Sequence, residues 1–183
     1  LSYNRIGDQG IIAFSNAIGK GVMPMLQQLL LGNNQIGNEG MKAFADSIGD
    51  GALPYLTSLW LPNNNIGDNG MISFAEALGK GALPSLQTLQ LSTNHICHAG
   101  MQALSIALSN VPMLVGLYLS KNQIGDEGMK AFATAIGKGA LPKLQILELH
   151  GNNIGDEGMK AFEDAIRKGA LPELQVLRIR IAY

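Results

Sequence analysis

Apolar and polar positions follow one pattern that recurs along the whole chain. The phrase Leu-x-x-Leu-x-Leu-x-x-Asn-x-Ile occupies residues 26–36 and returns at residues 144–154. The spacing between units is 30 residues, except that one unit has 28. The units begin at Leu1, Leu31, Leu61, Leu91, Leu119 and Leu149, and a seventh starts at Ile179 and stops at Tyr183. A fixed period of this length indicates a repeat architecture.

Each unit predicts a short strand followed by a helix. Leu29 and Leu31 alternate with Leu30 at a period of two, so Leu30 faces the opposite side from its neighbours. Met41, Phe44 and Ile48 are spaced three and four apart, which is typical of one apolar helix face.

Capping and turn residues bound the predicted helices. Side chains that could cap a helix N-terminus recur before the apolar face, at Asn38, Asp68, Asp126 and Asp156. Glycines suited to a left-handed residue follow the helix, at Gly49, Gly79 and Gly137. Prolines then prevent the helix from continuing, at Pro54, Pro84, Pro142 and Pro172.

Stacking of such units predicts an α/β solenoid. One strand and one helix cannot bury their shared apolar face alone, whereas stacked units make all strands parallel. Strands ~4.8 Å apart on one side and helices ~10 Å across on the other force a horseshoe with a concave parallel sheet and convex helices. We expect residues 1–183 to form a single domain of about six repeats of 28–30 residues.

The repeated phrase resembles the ribonuclease-inhibitor-like class of leucine-rich-repeat proteins over the whole chain. The resemblance implies that the repeated asparagines point inward and hydrogen-bond the backbone of adjacent turns. These are Asn4, Asn34, Asn64, Asn94, Asn122 and Asn152. Members of the class inhibit nucleases, activate small GTPases, sense ligands in innate-immunity receptors or serve as assembly scaffolds. The units here are 30 residues long and carry an insertion before the proline, written Gly-Lys-Gly-Ala at residues 79–82 and 137–140, so the resemblance carries over architecture and not a target.

Composition narrows the possible partners to proteins. The formal net charge is -1, so no basic field attracts nucleic acid. No apolar run approaches ~20 residues, so we expect no direct membrane insertion. The single cysteine, Cys97, cannot form an internal disulfide and favours a reducing, intracellular and cytoplasmic setting. An organelle stays open because a targeting segment could lie upstream of Leu1.

Three columns of variable residues are predicted to face solvent on the concave side. The first comprises Leu30, Trp60, Gln90, Tyr118, Glu148 and Arg178. The second comprises Gly32, Pro62, Ser92, Ser120, His150 and Arg180. The third comprises Asn33, Asn63, Thr93, Lys121 and Gly151. Together with His150 and Lys121, the first column is the predicted protein-binding site.

Trp60 and Tyr118 make the first column the leading candidate. Exposed Trp and Tyr are enriched among interface hot spots, and each can contribute ~2 kcal/mol or more. The alternative is that single exposed apolar residues need no functional explanation. Glu148 and Arg178 could select a partner electrostatically or form only a cross-strand ion pair.

No catalytic or metal-binding chemistry is predicted. His95, Cys97 and His98 form a cluster, but His98 occupies a helix-cap position, His95 lies in an exposed turn, and no fourth ligand recurs nearby. Gly-rich phrases follow helices and do not stand in phosphate-loop order. The sequence therefore predicts a non-enzymatic protein with no cofactor.

Function and domain context leave several alternatives open. The leading hypothesis is a protein-binding or assembly scaffold that uses the concave face to bind a protein partner or to join a larger complex. The alternatives are a regulator of an enzyme such as a GTPase, the sensing arm of a receptor, or a structural subunit that uses its convex face or ends. Neither end has a polar capping turn, so we expect a fragment of a longer array or ends covered by neighbouring subunits.

Overall fold

The computed structural model describes residues 1–179. Within them, six helices alternate with six three-residue strands. The helices are α1 (Asp8–Gly19), α2 (Asn38–Gly49), α3 (Asp68–Gly79), α4 (His98–Ala107), α5 (Asp126–Gly137) and α6 (Asp156–Arg167). The strands are β1 (Gln28–Leu30), β2 (Ser58–Trp60), β3 (Thr88–Gln90), β4 (Gly116–Tyr118), β5 (Ile146–Glu148) and β6 (Val176–Arg178).

The strands form one parallel sheet in the order of the sequence. The same repeat position pairs in every step, so that Leu29 lies beside Leu59 and Leu59 beside Leu89. A helix separates each strand from the next, and each helix packs on the helix of the following unit. The predicted α/β solenoid with its parallel sheet is therefore confirmed.

The core runs as a continuous strip between the sheet and the helices. From β1 to β5, the framework leucines and the isoleucine that follows them are buried, as Leu89, Leu91 and Ile96 show. One phenylalanine from each of several helices closes the other side, and the rings of Phe132 and Phe162 stack with centroids 6.3 Å apart. Burial of this apolar strip is the main stabilising contribution to the fold.

Buried asparagines link the backbone of neighbouring turns. The Asn64 amide donates to the carbonyls of Leu31 and Leu61 at 3.0 and 3.2 Å, and its Oδ1 accepts from the Ile36 N–H at 3.0 Å. Comparable bonds are made by Asn34, Asn94, Asn122 and Asn152. Asn4 differs because it is exposed and its amide donates only within its own turn.

The prediction that each capping side chain serves its own helix is wrong. Asn38, Asp68, Asp126 and Asp156 are the first residues of their helices, and the N-cap positions before them make no side-chain capping bond. Three of these side chains instead accept from the next helix. Asp68 Oδ1 accepts from the N–H groups of Cys97 and Gly100 at 2.7 and 2.9 Å. Asn38 and Asp126 likewise accept, through Oδ1, from two N–H groups at the start of the helix in the next unit.

The left-handed glycines lie later than predicted. Gly49, Gly79 and Gly137 are the last residues of their helices. The positive φ angles fall two residues on, at 80° for Gly51, 85° for Gly81 and 90° for Gly139. The intervening residues, such as Asp50 with φ -83°, prolong the turn before the chain reverses.

The fourth unit departs from the others on the convex side. Its helix α4 has 10 residues and continues into a 3-10 turn at Leu108–Asn110, whereas the other helices have 12 residues. The stretch from the start of α4 to the start of β4 is two residues shorter than the same stretch in the other units, and this shorter connection accounts for the 28-residue spacing. It leaves a groove of about 440 Å³ between α4 and α5, lined by residues that include Ile106, Thr134 and Lys138.

Candidate protein-binding face

The first concave column brings two large apolar side chains together. Leu30 and Trp60 are paired in the register of β1 and β2, and they are 43% and 42% exposed. Leu59 and Leu61 on either side of Trp60 are buried. The alternation of the short strand therefore turns Trp60 away from a core that is already filled.

A further row of residues lies beside this column and was not singled out from the sequence. It comprises Gln28, Ser58, Thr88, Gly116, Ile146 and Val176, which share one register. The period-two alternation of a strand places them on the same face as residues two positions later. A groove of about 330 Å³ lies between the two rows at one end of the sheet, lined by Ser2, Gln28, Leu30, Ser58, Trp60 and Thr88.

Tyr118 lies folded over its own strand. A Cβ atom built on Gly116 would stand 2.9 Å from the Tyr118 ring, so only glycine leaves room for the ring in this position. Burial raises the pKa of Tyr118, and the charge of Glu148 adds to this while Arg178 opposes it. Between Tyr118 and Trp60, the Gln90 Oε1 accepts from the Ser92 N–H at 2.6 Å and is thus held by its own turn.

Charged side chains lie at the other end of the face. Arg178 donates to Glu148 across β5 and β6 at 2.9 Å, with the Glu148 side chain 15% and the Arg178 side chain 65% exposed. Lys121 is exposed and lies on the turn after β4, where its side chain runs against Gly151. His150 is half-buried, and its Nδ1 has no hydrogen-bond partner in the part of the chain that the structure describes.

The second column does not face solvent as predicted. Gly32, Ser92 and Ser120 are buried, and the Ser120 hydroxyl donates to that of Ser92 at 2.8 Å. Pro62 and His150 are half-buried, and Arg180 lies outside the described residues. The reason is that each strand ends one residue before the second framework leucine, so its alternation stops there and the chain turns inward.

The third column occupies a left-handed turn at the rim of the sheet. Asn33, Asn63, Thr93 and Lys121 have φ angles of 56°, 55°, 57° and 54°, and Gly151 has 71°. The Asn63 amide donates to Asn33 Oδ1 at 2.7 Å, which links two of these turns. A side-chain hydrogen bond therefore joins neighbouring turns of the rim at the asparagine pair, and Lys121 is the one charged residue of the column.

The histidines and the cysteine of the fourth unit lie at the start of α4 and in the segment just before it. Within residues 1–179, no group of three or more His, Cys, Asp and Glu side chains could hold a metal ion. Cys97 is the N-cap residue of α4, and its backbone N–H donates to Asp68. Burial and the nearby Asp68 raise the pKa of the Cys97 thiol, which disfavours the thiolate.

None of the helices described in residues 1–179 is long and apolar enough to cross a membrane.

An open parallel sheet of leucine-framed strands, each backed by a helix and joined by asparagine side chains, defines a leucine-rich-repeat solenoid. The chain belongs to the leucine-rich repeat family. The family model described as "Leucine Rich repeat" matches more than half of the chain, at residues 1–15, 22–45, 52–75, 82–105, 112–133 and 140–162.

Solved structures share this fold. An internalin (inlF) from Listeria monocytogenes has a TM-score of 0.58 and 24% identity over 90% of this chain. The actin-binding site 2 of leiomodin-1 has a TM-score of 0.62 and 16% identity over 84% of this chain and 86% of its own length. A TDR receptor has a TM-score of 0.53 and 26% identity over 88% of this chain.

The chain spans 37% of the internalin and 23% of the TDR receptor. No curated protein matches the sequence at a significant level of similarity.

Proposed function

We propose that this protein is a non-enzymatic interaction or assembly module, working as one domain, that binds a protein partner on its concave face. The binding surface, called the concave patch below, consists of Leu30, Trp60, Gln90, Tyr118, Glu148 and Arg178, with His150 and Lys121 at its margin. One observation carries the proposal: Leu30 and Trp60 lie side by side, each more than two-fifths exposed, on a face whose core side is filled.

The energetics of such a pair favour binding. Large aromatic side chains supply much contact area at little entropic cost, and they dominate the binding energy of many interfaces. Tyr118 adds a second aromatic surface that is already fixed over Gly116, so little freedom is lost when a partner covers it. The Glu148–Arg178 ion pair is oriented before binding and could set the register of a partner.

The comparisons support this class of function. Leucine-rich-repeat proteins typically mediate protein–protein interactions, and the similar structures include an internalin and a segment titled as an actin-binding site. The 28–30-residue units with one helix per turn further support the ribonuclease-inhibitor-like subtype as part of this proposal.

The test is capture of partners from the source lysate by variants of the concave patch. We expect Trp60→Ala and Tyr118→Ala each to reduce capture at least tenfold, as for hot-spot residues. Tyr55→Ala is the matched control, because Tyr55 is an aromatic residue of similar exposure, at 52%, that lies outside the strands. Capture that is unchanged by both patch variants would refute the concave patch as the binding site.

The groove beside the short helix α4 favours a second candidate function, that of a structural subunit contacting its neighbours by the convex face. Ile106 is 76% exposed at this groove. Under this candidate, Ile106→Glu abolishes incorporation into the assembly while Trp60→Ala does not.

A further inference from the structure

We propose that the partner of the concave patch is an extended segment that pairs an apolar side chain with an acidic one a few residues away. This inference rests on the proposed function and specifies the chemistry of its ligand. The apolar side chain occupies the groove beside Leu30 and Trp60, and the acidic side chain meets Lys121.

The concave face is divided by charge. Residues 81–120 contain no Asp, Glu, Lys or Arg, and none stands in the first column or in the row beside it on β1, β2, β3 or β4. The charged members of the face are Lys121, Glu148 and Arg178. One end is therefore suited to apolar contact and the other to an ionic contact.

The charged end favours an anion. Glu148 and Arg178 neutralise each other in their ion pair. Lys121 forms no salt bridge and no side-chain hydrogen bond within the described residues, so it contributes an unpaired positive charge. The start of its side chain lies close to Gly151, where an added Cβ would come within 3.2 Å of Lys121 Cγ. A carboxylate of the partner would complement this charge.

The apolar end favours an extended chain. Leu30 and Trp60 form an apolar row, and Gln28, Ser58 and Thr88 form a parallel row of polar side chains. The polar groups of Gln28, Ser58 and Thr88 make no side-chain hydrogen bond within residues 1–179. An extended segment presents side chains and backbone hydrogen-bonding groups along parallel lines, so one segment can satisfy both rows. A helix satisfies its backbone groups internally, so its backbone would offer no hydrogen bonds to the polar row.

The sheet sets the spacing between the two contacts. Trp60 lies on β2 and Lys121 follows β4, so the two positions are two strand intervals apart, or ~10 Å. Lys121 also lies further along the strand direction than Trp60, which increases the distance between the two side chains. An extended chain advances ~3.3 Å per residue, so the acidic residue lies about four residues from the apolar one.

Trp60 itself reports binding, since it is the only tryptophan in the chain. The probes are synthetic Ser/Gly-based peptides without tryptophan that carry one Leu and one Asp. In one set the two residues lie about four positions apart, as the sheet spacing indicates. In others they are adjacent, lie twice as far apart, or have Asp replaced by Lys, and each peptide is made in both directions. The emission of Trp60 is followed in the full chain as each peptide is added.

We expect the matched Asp peptide to bind about fivefold more tightly than its Lys counterpart, as for one exposed ion pair. Lys121→Asn should remove this difference, and it should preserve the fold because Asn33 and Asn63 occupy the same left-handed position in other turns. Lys138→Asn, on the convex side, is the matched control and should leave the preference intact.

Other outcomes separate this inference from the proposed function. If no peptide binds, or if Leu peptides bind regardless of charge and spacing, while lysate capture still depends on Trp60, the extended acidic partner is wrong and the concave patch stands. If capture is also unchanged by both Trp60→Ala and Tyr118→Ala, the inference and the proposed function are both wrong. Self-association of the chain that Trp60→Ala abolishes would identify a second copy as the occupant and overturn this inference.

Discussion

At the scale of single residues, the buried asparagines supply hydrogen bonds to backbone groups that border the apolar core. Asn94 is buried, donates to the carbonyls of Leu61 and Leu91 at 2.9 and 3.0 Å, and accepts from the Ile66 N–H at 3.0 Å. These backbone groups lie where the chain leaves the strand and have no neighbouring strand to pair with. Each would cost about 1–3 kcal/mol if it were buried without a partner.

Replacing Asn94 should therefore be strongly destabilising. We expect Asn94→Ala to lower the free energy of unfolding by about 2–4 kcal/mol, measured by urea denaturation. Asn4→Ala is the matched control, because Asn4 is exposed and bonds only within its own turn, and it should change stability by less than about 0.5 kcal/mol. Equal losses of stability in the two variants would contradict this account of the buried asparagines.

Tyr118 should show a pH dependence that depends on Glu148. Its folded pKa lies above the ordinary value, so folding favours the neutral phenol. The stabilisation is complete below the unfolded pKa of about 10 and is lost as pH rises through the folded pKa. Glu148→Gln should lower the pKa of Tyr118 only part of the way, because burial is the larger cause. Phenolate absorbance, taken as the difference from Tyr118→Phe, measures this, and an unchanged pKa would exclude the Glu148 contribution.

Individual residue positions could be predicted from the sequence only as far as the strand alternation extends. The two-residue period correctly predicted that Trp60 and the half-buried Tyr118 lie on the face opposite the core and that the framework leucines of β1 to β5 are buried. It failed for Ser92 and Ser120, since both lie just beyond the three-residue strands and the period no longer applies there. The position of the Tyr118 ring over Gly116 depends on the side-chain rotamer, which the sequence pattern does not specify.

At the scale of secondary structure elements, the helices depend on their neighbours for capping. Asp8, Asn38, Asp68 and Asp126 each place Oδ1 against two N–H groups at the start of the following helix. The residues so joined are 29 and 32 positions apart. The local sequence correctly predicted which type of residue acts as a cap. It did not predict which helix that residue caps, because stacking of the units brings the start of the next helix within reach of its side chain.

The fourth unit lacks this capping contact and offers a route to stabilisation. His98 stands in the capping position, and no side chain of the described residues accepts from the N–H groups of Gly125 or Gly128 at the start of α5. We expect His98→Asp to supply that acceptor and raise the free energy of unfolding by about 0.5–1.5 kcal/mol. The reciprocal variant Asp68→Ala should lower it by about 1–2 kcal/mol.

Thermal and urea unfolding of both variants would measure these shifts. A gain in His98→Asp with a loss in Asp68→Ala supports capping between units. If Asp68→Ala loses stability but His98→Asp gains none, the N–H groups at the start of α5 are already bonded to water. A capping side chain would then add no stability at that position.

At the scale of the whole molecule, the repeat period determines the architecture, because each turn packs only on its neighbours. The 30-residue period was therefore sufficient to predict the sheet order, its parallel direction and the helical layer. The groove at α4 was not predicted, since it depends on how the shortened connection packs and not on the period. The same nearest-neighbour packing makes burial uneven: Leu89 in β3 is fully buried, whereas the equivalent Leu177 in β6 is 46% exposed.

This uneven burial predicts a gradient of local stability along the solenoid. In a protein of residues 1–183, the outer of the described turns have one packing neighbour among residues 1–179 and the central turns have two, so the outer turns should open at lower free energy than the centre. In native-state hydrogen exchange followed by mass spectrometry, we expect protection to be highest for amides of β3 and β4 and to fall towards β1 and β6. Asn94→Ala should reduce protection at the centre, because it breaks bonds between two central turns, whereas Asn34→Ala should affect mainly β1. Equal protection of every strand, with equal effects of the two variants, would instead show that the solenoid unfolds as one cooperative unit and that the coupling between turns outweighs the difference in their burial.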